Sequence, residues 1–333
     1  MGITAKELAH QLGLSPAAVS FALNGRPGVS AETRARVLEA AKALGYDFSN
    51  LRGAPRQADA PTVAFVFFNR HQIFRTAFFD QMARGADVEL SRSGYHMLSI
   101  EVSASRSVPA QIETLTQQSL AGIILLATEM TELDLMPFTA LDLPMVLLDT
   151  CIPCGLDCVQ INNYQGIEMA VERLYARYGT QPGVLTCSNA ISNFKNRSDG
   201  YHLALQQNGG SARRFVEHAL PAETEDARVE MLALIDSGAP LARCYVSCFD
   251  GIALGAMAAF AERGYRIPED VGFVGFDNIP ESATATPPLT TINVPSGYMG
   301  TIAARRLTEL FAEEEHHPLT IEVGTSLIPR ASA

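Results

Sequence analysis

Two hydrophobic rhythms divide the chain. Up to about residue 46, apolar positions recur at helical spacing in short bursts, each introduced by a Ser or Thr. In Ile3-Thr4-Ala5-Lys6-Glu7-Leu8, Thr4 and Glu7 are spaced as a capping box, with Ile3 and Leu8 as its hydrophobic staple. In Leu14-Ser15-Pro16-Ala17-Ala18-Val19, Ser15 is a cap and Pro16 takes the first helical position, where a missing N–H costs nothing. Only Gly13 and Leu14 separate the first helix from the second cap, which is the frame of a helix-turn-helix. A third helix, capped by Ser30 and ended by Gly45, carries Val37, Ala40, Ala41 and Leu44 as one stripe. Ile3, Leu8, Leu12, Val19, Leu23, Val37 and Leu44 are the expected core of this module. Pro16, Ala17, Ser20, Phe21 and Asn24 are the outward positions of its second helix.

From Pro61 the rhythm changes to short apolar runs alternating with amphipathic stretches. The runs 63–68, 95–100, 122–126, 145–148, 183–186, 244–247 and 271–276 read as strands. The stretches 78–92, 110–118, 164–177, 194–207, 226–236 and 252–263 read as helices between them. Continuous apolar strands alternating with helices predict parallel sheets covered on both faces, and the strands suffice for two such sheets.

Composition narrows the function classes. The formal net charge of −11 speaks against a nucleic-acid-coating protein, but it is unevenly spread. Residues 1–60 hold seven Lys/Arg against five Asp/Glu, a net +2, while the remainder carries −13. A mildly basic head on an acidic body fits local phosphate contact, with affinity supplied by dimerisation. Apolar runs are all shorter than a membrane helix requires, so no membrane partner is expected. The polar amphipathic start differs from a signal peptide. Six cysteines without such a signal fit a reducing cytoplasm rather than a disulfide framework.

The segments 4–9, 13–15, 19–24, Val29-Ser30, Thr33-Arg34 and 43–46 together resemble the headpiece of the LacI/GalR family of bacterial transcription regulators, without a gap. The resemblance implies a helix-turn-helix headpiece at 1–46, a hinge or linker at 47–61, and a periplasmic-binding-protein-like α/β core at 62–330. In that core, about 62–160 and 294–320 form the subdomain next to DNA, and about 161–291 with 322–330 the distal one. By position, Pro16, Ala17 and Phe21 face base edges, while Ser20, Asn24, Ser30 and Thr33 hold phosphates; Thr4, Ser15 and Leu51 complete the set of DNA contacts. A reading face of Pro16, Ala17 and Phe21 offers apolar contact, such as to a thymine methyl, rather than hydrogen bonds. Specificity then leans on phosphate placement and DNA shape. Where the family usually continues into a leucine-bearing hinge helix, this chain has Gly53 and Pro55, with Leu51 as the one candidate wedge into the minor groove. Two readings stay open there: a single turn formed on DNA, or a plain tether.

Ligands of parallel α/β sheets sit beyond the carboxyl ends of the strands. That rule selects Asp149, Cys187, Ser188, Phe249, Asp250 and Asp277 as strand-end candidates, with Arg197 on the helix after Asn193-Phe194. Carboxylates and a guanidinium converging on a cleft suit vicinal hydroxyls, and Phe78, Phe79 and Phe249 suit the apolar face of a sugar ring. The resemblance adds support for Asn193, Arg197 and Asp277, because Asn193-Phe194-x-x-Arg197 and Val274-Gly275-Phe276-Asp277-Asn278 are similar to effector-contact segments of the family. Pro287-Pro288-Leu289-Thr290-Thr291-Ile292 resembles its crossover signature. Phe249 departs from the Asn often found there, which points to an unusual effector. Asp250 reads first as the cap of the helix beginning at Gly251, and second as a ligand contact.

Cys151, Cys154 and Cys158 read C-x2-C-x3-C, but no adjacent fourth ligand completes a zinc site, so neither metal nor cofactor is expected. His316-His317 reads as a solvated helix end. Enzyme motifs such as G-x-S-x-G, Walker A, H-E-x-x-H and a strand-closing G-x-G-x-x-G are missing. A sugar-binding transport protein would share the body, but it needs export and has no use for the leading helix-turn-helix. The expectation is therefore a cytoplasmic homodimer that reads a two-fold operator in duplex DNA, most simply as a repressor, under control of a carbohydrate effector in its cleft. The absence of a heptad tail after the last strand favours a dimer over a tetramer.

Overall fold

The computed structural model describes residues 4–23, 29–44, 60–70, 77–150, 152–153, 155–189, 191–211, 215–313 and 315–333. They fall into two compact units, Met1–Ala60 and Pro61–Ala333. Ile3, Asn24, Gly45, Leu51, Gly53, Pro55, Cys151 and Cys154, and with them the Ile3–Leu8 staple and the hinge readings, lie outside the described residues.

The first unit holds α1 (Ala5–Leu12), α2 (Pro16–Leu23) and α3 (Ala31–Ala43). The capping box forms: Glu7 N–H donates to Thr4 Oγ1 at 3.3 Å, and Thr4 N–H donates to Glu7 Oε2 at 2.8 Å. Gly13 takes the left-handed conformation, φ 65°, that ends α1. Ser15 Oγ accepts from Ala18 N–H at 3.1 Å, and Ser30 Oγ accepts from Thr33 N–H at 3.1 Å. The core is Leu8, Ala9, Val19, Ala22, Leu23, Val37 and Ala41, with Leu12 packed at its margin. Leu44 does not join it and is 41% exposed. The thirteen-residue α3 outruns its eight-residue partners, and Leu44 follows its last residue, outside the described core.

The second unit contains two six-stranded sheets. The first has the order β11-β5-β4-β3-β1-β2, all parallel. Its strands are β1 (Thr62–Asn69), β2 (His96–Ser103), β3 (Leu120–Leu126), β4 (Met145–Leu148), β5 (Asp157–Ile161) and β11 (Thr320–Val323). The second has the order β12-β10-β9-β8-β6-β7. It is built from β6 (Gly183–Cys187), β7 (Glu217–Leu220), β8 (Cys244–Ser247), β9 (Gly272–Asp277), β10 (Thr290–Asn293) and β12 (Ser326–Ile328), with β12 antiparallel to β10. Strands such as Met145–Leu148 are buried at every position, as parallel strands covered on both faces must be. The helices α4 (Ala77–Arg92) and α12 (Ser296–Leu310) share a core with α7 (Asn163–Tyr178) and α8 (Ser192–Gln207). The outer face of the first sheet is covered by α5 (Val108–Thr116) and α6 (Glu132–Thr139). The outer face of the second is covered by α9 (Thr224–Asp236) and α10 (Asp250–Glu262), and α11 (Pro280–Thr284) precedes β10.

The chain passes between the sheets three times, after β5, after β10 and after β11. The second sheet runs on to Asn293 and the first to Val323, each slightly past the expected boundary. Among the strands, β5, β7, β10, β11 and β12 were not legible as apolar runs. They are short, and β5 opens on Asp157, a charge buried against Arg306 Nε at 2.5 Å. That bond reaches 149 residues along the chain, beyond any periodicity. His316 also bonds Asp157, so it is not merely a solvated helix end. Close helix contact sets the α4–α12 crossing: a Cβ at Gly85 would overlap the Gly297 carbonyl, and one at Gly300 the Met82 carbonyl. No described helix is long and apolar enough to cross a membrane.

Candidate effector cleft and DNA-reading face

On α2, Pro16, Ser20 and Phe21 are exposed, Phe21 at 36%, and Ala17 lies on the same helix. Ser30 and Thr33 bond each other through their hydroxyls at 2.8 Å at the start of α3. Thr4 and Ser15 are engaged as caps; Thr4 Oγ1 also donates to Glu7 Oε2 at 2.7 Å, and Ser15 Oγ accepts from Ala18 N–H.

Within the second unit, Phe78, Phe79, Asp149, Asn193, Arg197, Phe249 and Asp277 line one narrow cleft with a free volume of about 30 Å³. Thr128, Ile191 and Phe194 complete its wall. Both subdomains contribute. Thr128 follows β3 and Asp149 follows β4 of the first sheet, while Asp277 ends β9 and α8 carries Asn193 and Arg197. Cys187 and Ser188 do not line the cleft. Thr128 was missed, although the strand-end rule applied to β3 would have found it.

One hydrogen-bonded chain crosses the cleft. Thr128 Oγ1–H donates to Asp149 Oδ2 at 2.6 Å, and Asn193 Nδ2 donates to Asp149 Oδ1 and O, each at 3.1 Å. Asn163 Nδ2 donates to Asn193 Oδ1 at 2.9 Å, and Arg197 Nε donates to Asn163 Oδ1 at 2.8 Å. Arg197 ends the chain with Nη2 on Asp277 Oδ1 at 3.0 Å and Nη1 on the Cys248 carbonyl at 2.7 Å. Its guanidinium lies 3.8 Å from the Phe276 ring centroid and is 3% exposed. Asn163, at the start of α7, carried no signal in the sequence, because its role depends on partners 30 and 34 residues away.

Electrostatics follow from burial. Loss of water pushes the Asp149 carboxyl up to about 7, with the Thr128 hydroxyl and Arg197 opposing and the Asp277 charge adding to the rise. Burial also raises Asp277, against the pull of Arg197. The backbone is held in sparsely populated conformations at the same points: Asp149, Asp277 and Asn278 have φ of 59°, 102° and 55°. Such residues persist only where surrounding bonds over-determine them. Asn278 is held by Asn293 at 2.9 Å and by Arg330 Nη2 at 2.6 Å.

Asp250 corrects both expectations made for it. It is fully buried, it is the first residue of α10 rather than its cap, and it does not line the cleft. Its Oδ1 accepts from Thr291 Oγ1 at 2.6 Å and its Oδ2 from Ile279 N–H at 3.0 Å, so it fastens the loop after β9 to β10. Burial holds its carboxyl well above the usual range. Cys158 points into the first subdomain's core and its thiol donates to the Thr150 carbonyl at 3.2 Å. No group of three or more metal-ligating side chains occurs among the described residues.

Two family models match: "Bacterial regulatory proteins, lacI family" over residues 4–48, and "Periplasmic binding protein-like domain" over 171–333. The HTH-type transcriptional repressor PurR of Mannheimia succiniciproducens is 26% identical across 99% of this chain and 98% of its own. The ribose operon repressor of Bacillus subtilis is 26% identical across 98% and 97%. The chain belongs to the LacI/GalR family. It is a DNA-binding transcriptional regulator, with the headpiece and two-subdomain core of that family. Among solved structures, the cellobiose complex of the transcriptional regulator CelR superposes with a TM-score of 0.74 at 25% identity, covering 99% of this chain and all of that one. LacI/GalR membership gives the cleft its context: the strand-end side chains lie between the two subdomains of a regulator.

Proposed function

We propose that this regulator is a cytoplasmic homodimeric repressor whose operator affinity is controlled by a carbohydrate bound between the two subdomains. Pro16, Ala17 and Phe21 read base edges; Thr4, Ser15, Ser20, Asn24, Ser30 and Thr33 position phosphates, and Leu51 acts at the operator centre. The mildly basic head binds adequately only as a pair, so the operator is two-fold. The effector contacts are Phe78, Phe79, Asp149, Asn193, Arg197, Phe249 and Asp277. The observation that carries this reading is a cleft with those seven side chains on its wall, crossed by a hydrogen-bonded chain from Thr128 to Asp277. A ligand that alters this chain changes the relative energy of the two subdomain arrangements, and linkage returns that energy as a change in DNA affinity. The role is binding rather than turnover. The similarity to a ribose operon repressor and to a cellobiose-bound regulator supports a carbohydrate.

Selection of bound duplexes from a random DNA pool, repeated with a panel of sugars, tests this directly. The expected result is a two-fold site whose binding one sugar weakens, with Arg197→Ala removing the response to that sugar. An Arg197→Ala protein that folds and keeps the full response would overturn the site; enrichment of no common sequence would overturn the operator reading.

A further inference from the structure

The cleft's hydrogen-bonding capacity is lopsided. Arg197 has five N–H groups. Nε goes to Asn163, Nη1 to the Cys248 carbonyl and to Asp277 Oδ2 at 3.4 Å, and one Nη2 proton to Asp277 Oδ1. Among the described residues, the second Nη2 proton is the one that remains. The Asn193 amide protons are both committed to Asp149, and the Thr128 hydroxyl proton likewise. The acceptor side is the opposite. Each carboxylate offers about four lone-pair sites; Asp149 and Asp277 each use two of theirs within the protein. Two carboxylates also outnumber the one guanidinium, and the remaining wall, Phe78, Phe79, Ile191, Phe194 and Phe249, is apolar.

Resting on the effector reading above, we infer that this cleft selects by hydrogen-bond polarity: it takes an uncharged or cationic ring compound rich in O–H or N–H donors. It rejects the phosphorylated or carboxylated form of the same ring, with Asp149 as the residue that sets the rejection. A hydroxyl-rich ring places its donors on the spare lone pairs of Asp149 and Asp277 and its C–H face on the phenylalanines. A phosphate brings only acceptors and negative charge. Among the described side chains it would find one spare donor and two carboxylates, so its oxygens would lose their water without replacement. Asp149 is the decisive one of the pair, because Asp277 is matched by Arg197 whereas Asp149 is bonded only by the neutral Thr128 and Asn193.

The test uses the full chain at about pH 8.5, where the Asp149 carboxyl, raised by burial to about 7, is ionised, and reads ligand binding by titration calorimetry and by thermal shift. Neutral probes are glucose, galactose, ribose and cellobiose; anionic probes are glucose 6-phosphate, ribose 5-phosphate, gluconate and inorganic phosphate; amine-bearing and non-sugar probes are glucosamine and adenosine. We expect any binding sugar to lose about 100-fold or more in affinity on phosphorylation, and inorganic phosphate at millimolar concentration to leave the melting temperature unchanged. Asp149→Asn keeps the shape, removes a charge and adds an amide donor, so it should narrow the neutral-to-phosphate ratio at least tenfold. A phosphorylated probe binding more tightly than its neutral parent would overturn the inference. So would phosphate stabilisation that Arg197→Ala removes, a result that needs no knowledge of the effector and no folded Asp149 variant. Binding of adenosine with every sugar inert would overturn the carbohydrate reading but support selection by polarity.

Discussion

Arg197 offers the sharpest test of how the cleft is held. Replacing it with Met keeps much of its bulk but removes the bonds to Asn163, the Cys248 carbonyl and Asp277. The Arg197–Asp277 pair is buried, with side-chain exposures of 3% and 9%. Deleting one member of such a pair leaves an uncompensated charge and costs about 3–5 kcal/mol. The two carbonyl acceptors left unpaired contribute in the same direction, at about 1 kcal/mol each, partly overlapping with that figure. Arg197→Met should therefore destabilise the core by about 4 kcal/mol, a large part of the 5–15 kcal/mol that holds a typical domain. Asp277→Asn removes the stranded charge, so the double variant should be less destabilised than the sum of the two singles by about 2 kcal/mol. Because the chain has no tryptophan, urea unfolding is best followed by far-ultraviolet circular dichroism, with the core transition fitted separately from that of the headpiece. The coupling should change little with salt, since burial shields the pair from counterions. Additivity within about 0.5 kcal/mol would refute the argument, because two groups sharing a buried ion pair cannot act independently.

Asp149 should make core stability fall as pH rises from about 4 to 7. Its carboxyl is raised in the fold to about 7 from 3.8, so the native state binds the extra proton in that window, with a slope of at most about 1.4 kcal/mol per pH unit. The difference between wild type and Asp149→Asn isolates this from other carboxyls; identical pH profiles would exclude it. Gly300→Ala should lower the melting temperature by about 6–12 °C, from about 3 kcal/mol of overlap with the Met82 carbonyl. Gly297→Ala, whose Cβ would meet only Gln81 O at 3.5 Å, should be neutral or stabilising by up to about 1 kcal/mol; equal losses would show that the α4–α12 crossing is not set by close contact. Phe21→Ala should change headpiece stability by less than about 0.5 kcal/mol, since the ring is exposed. It should alter base preference in a DNA selection, and equal weakening on every sequence would remove Phe21 from base reading.

The sequence by itself determined what is local. Caps at Thr4, Ser15 and Ser30, the glycine turn at Gly13 and the fully apolar run at Met145–Leu148 are decided by neighbours a few residues away, so their signals survive without a structure. It also determined part of the cleft, because a parallel βα unit must deliver the carboxyl ends of its strands to one edge. That rule alone reached Asp149, Phe249 and Asp277, and it covered Thr128 as well. What tertiary structure decided was the direction and commitment of each side chain. Asp250 and Asp277 both follow apolar strands, yet one turns to Thr291 behind the cleft and the other to Arg197 on the cleft wall. Leu44 continues a helical stripe in the sequence, yet it falls just past the end of α3 and stands outside the described core. Asn163, Asn193 and Arg197 become one chain only when residues 30 to 80 positions apart are brought together. Periodicity reports which face an element buries. Which donors remain for a ligand depends on partners that only folding supplies.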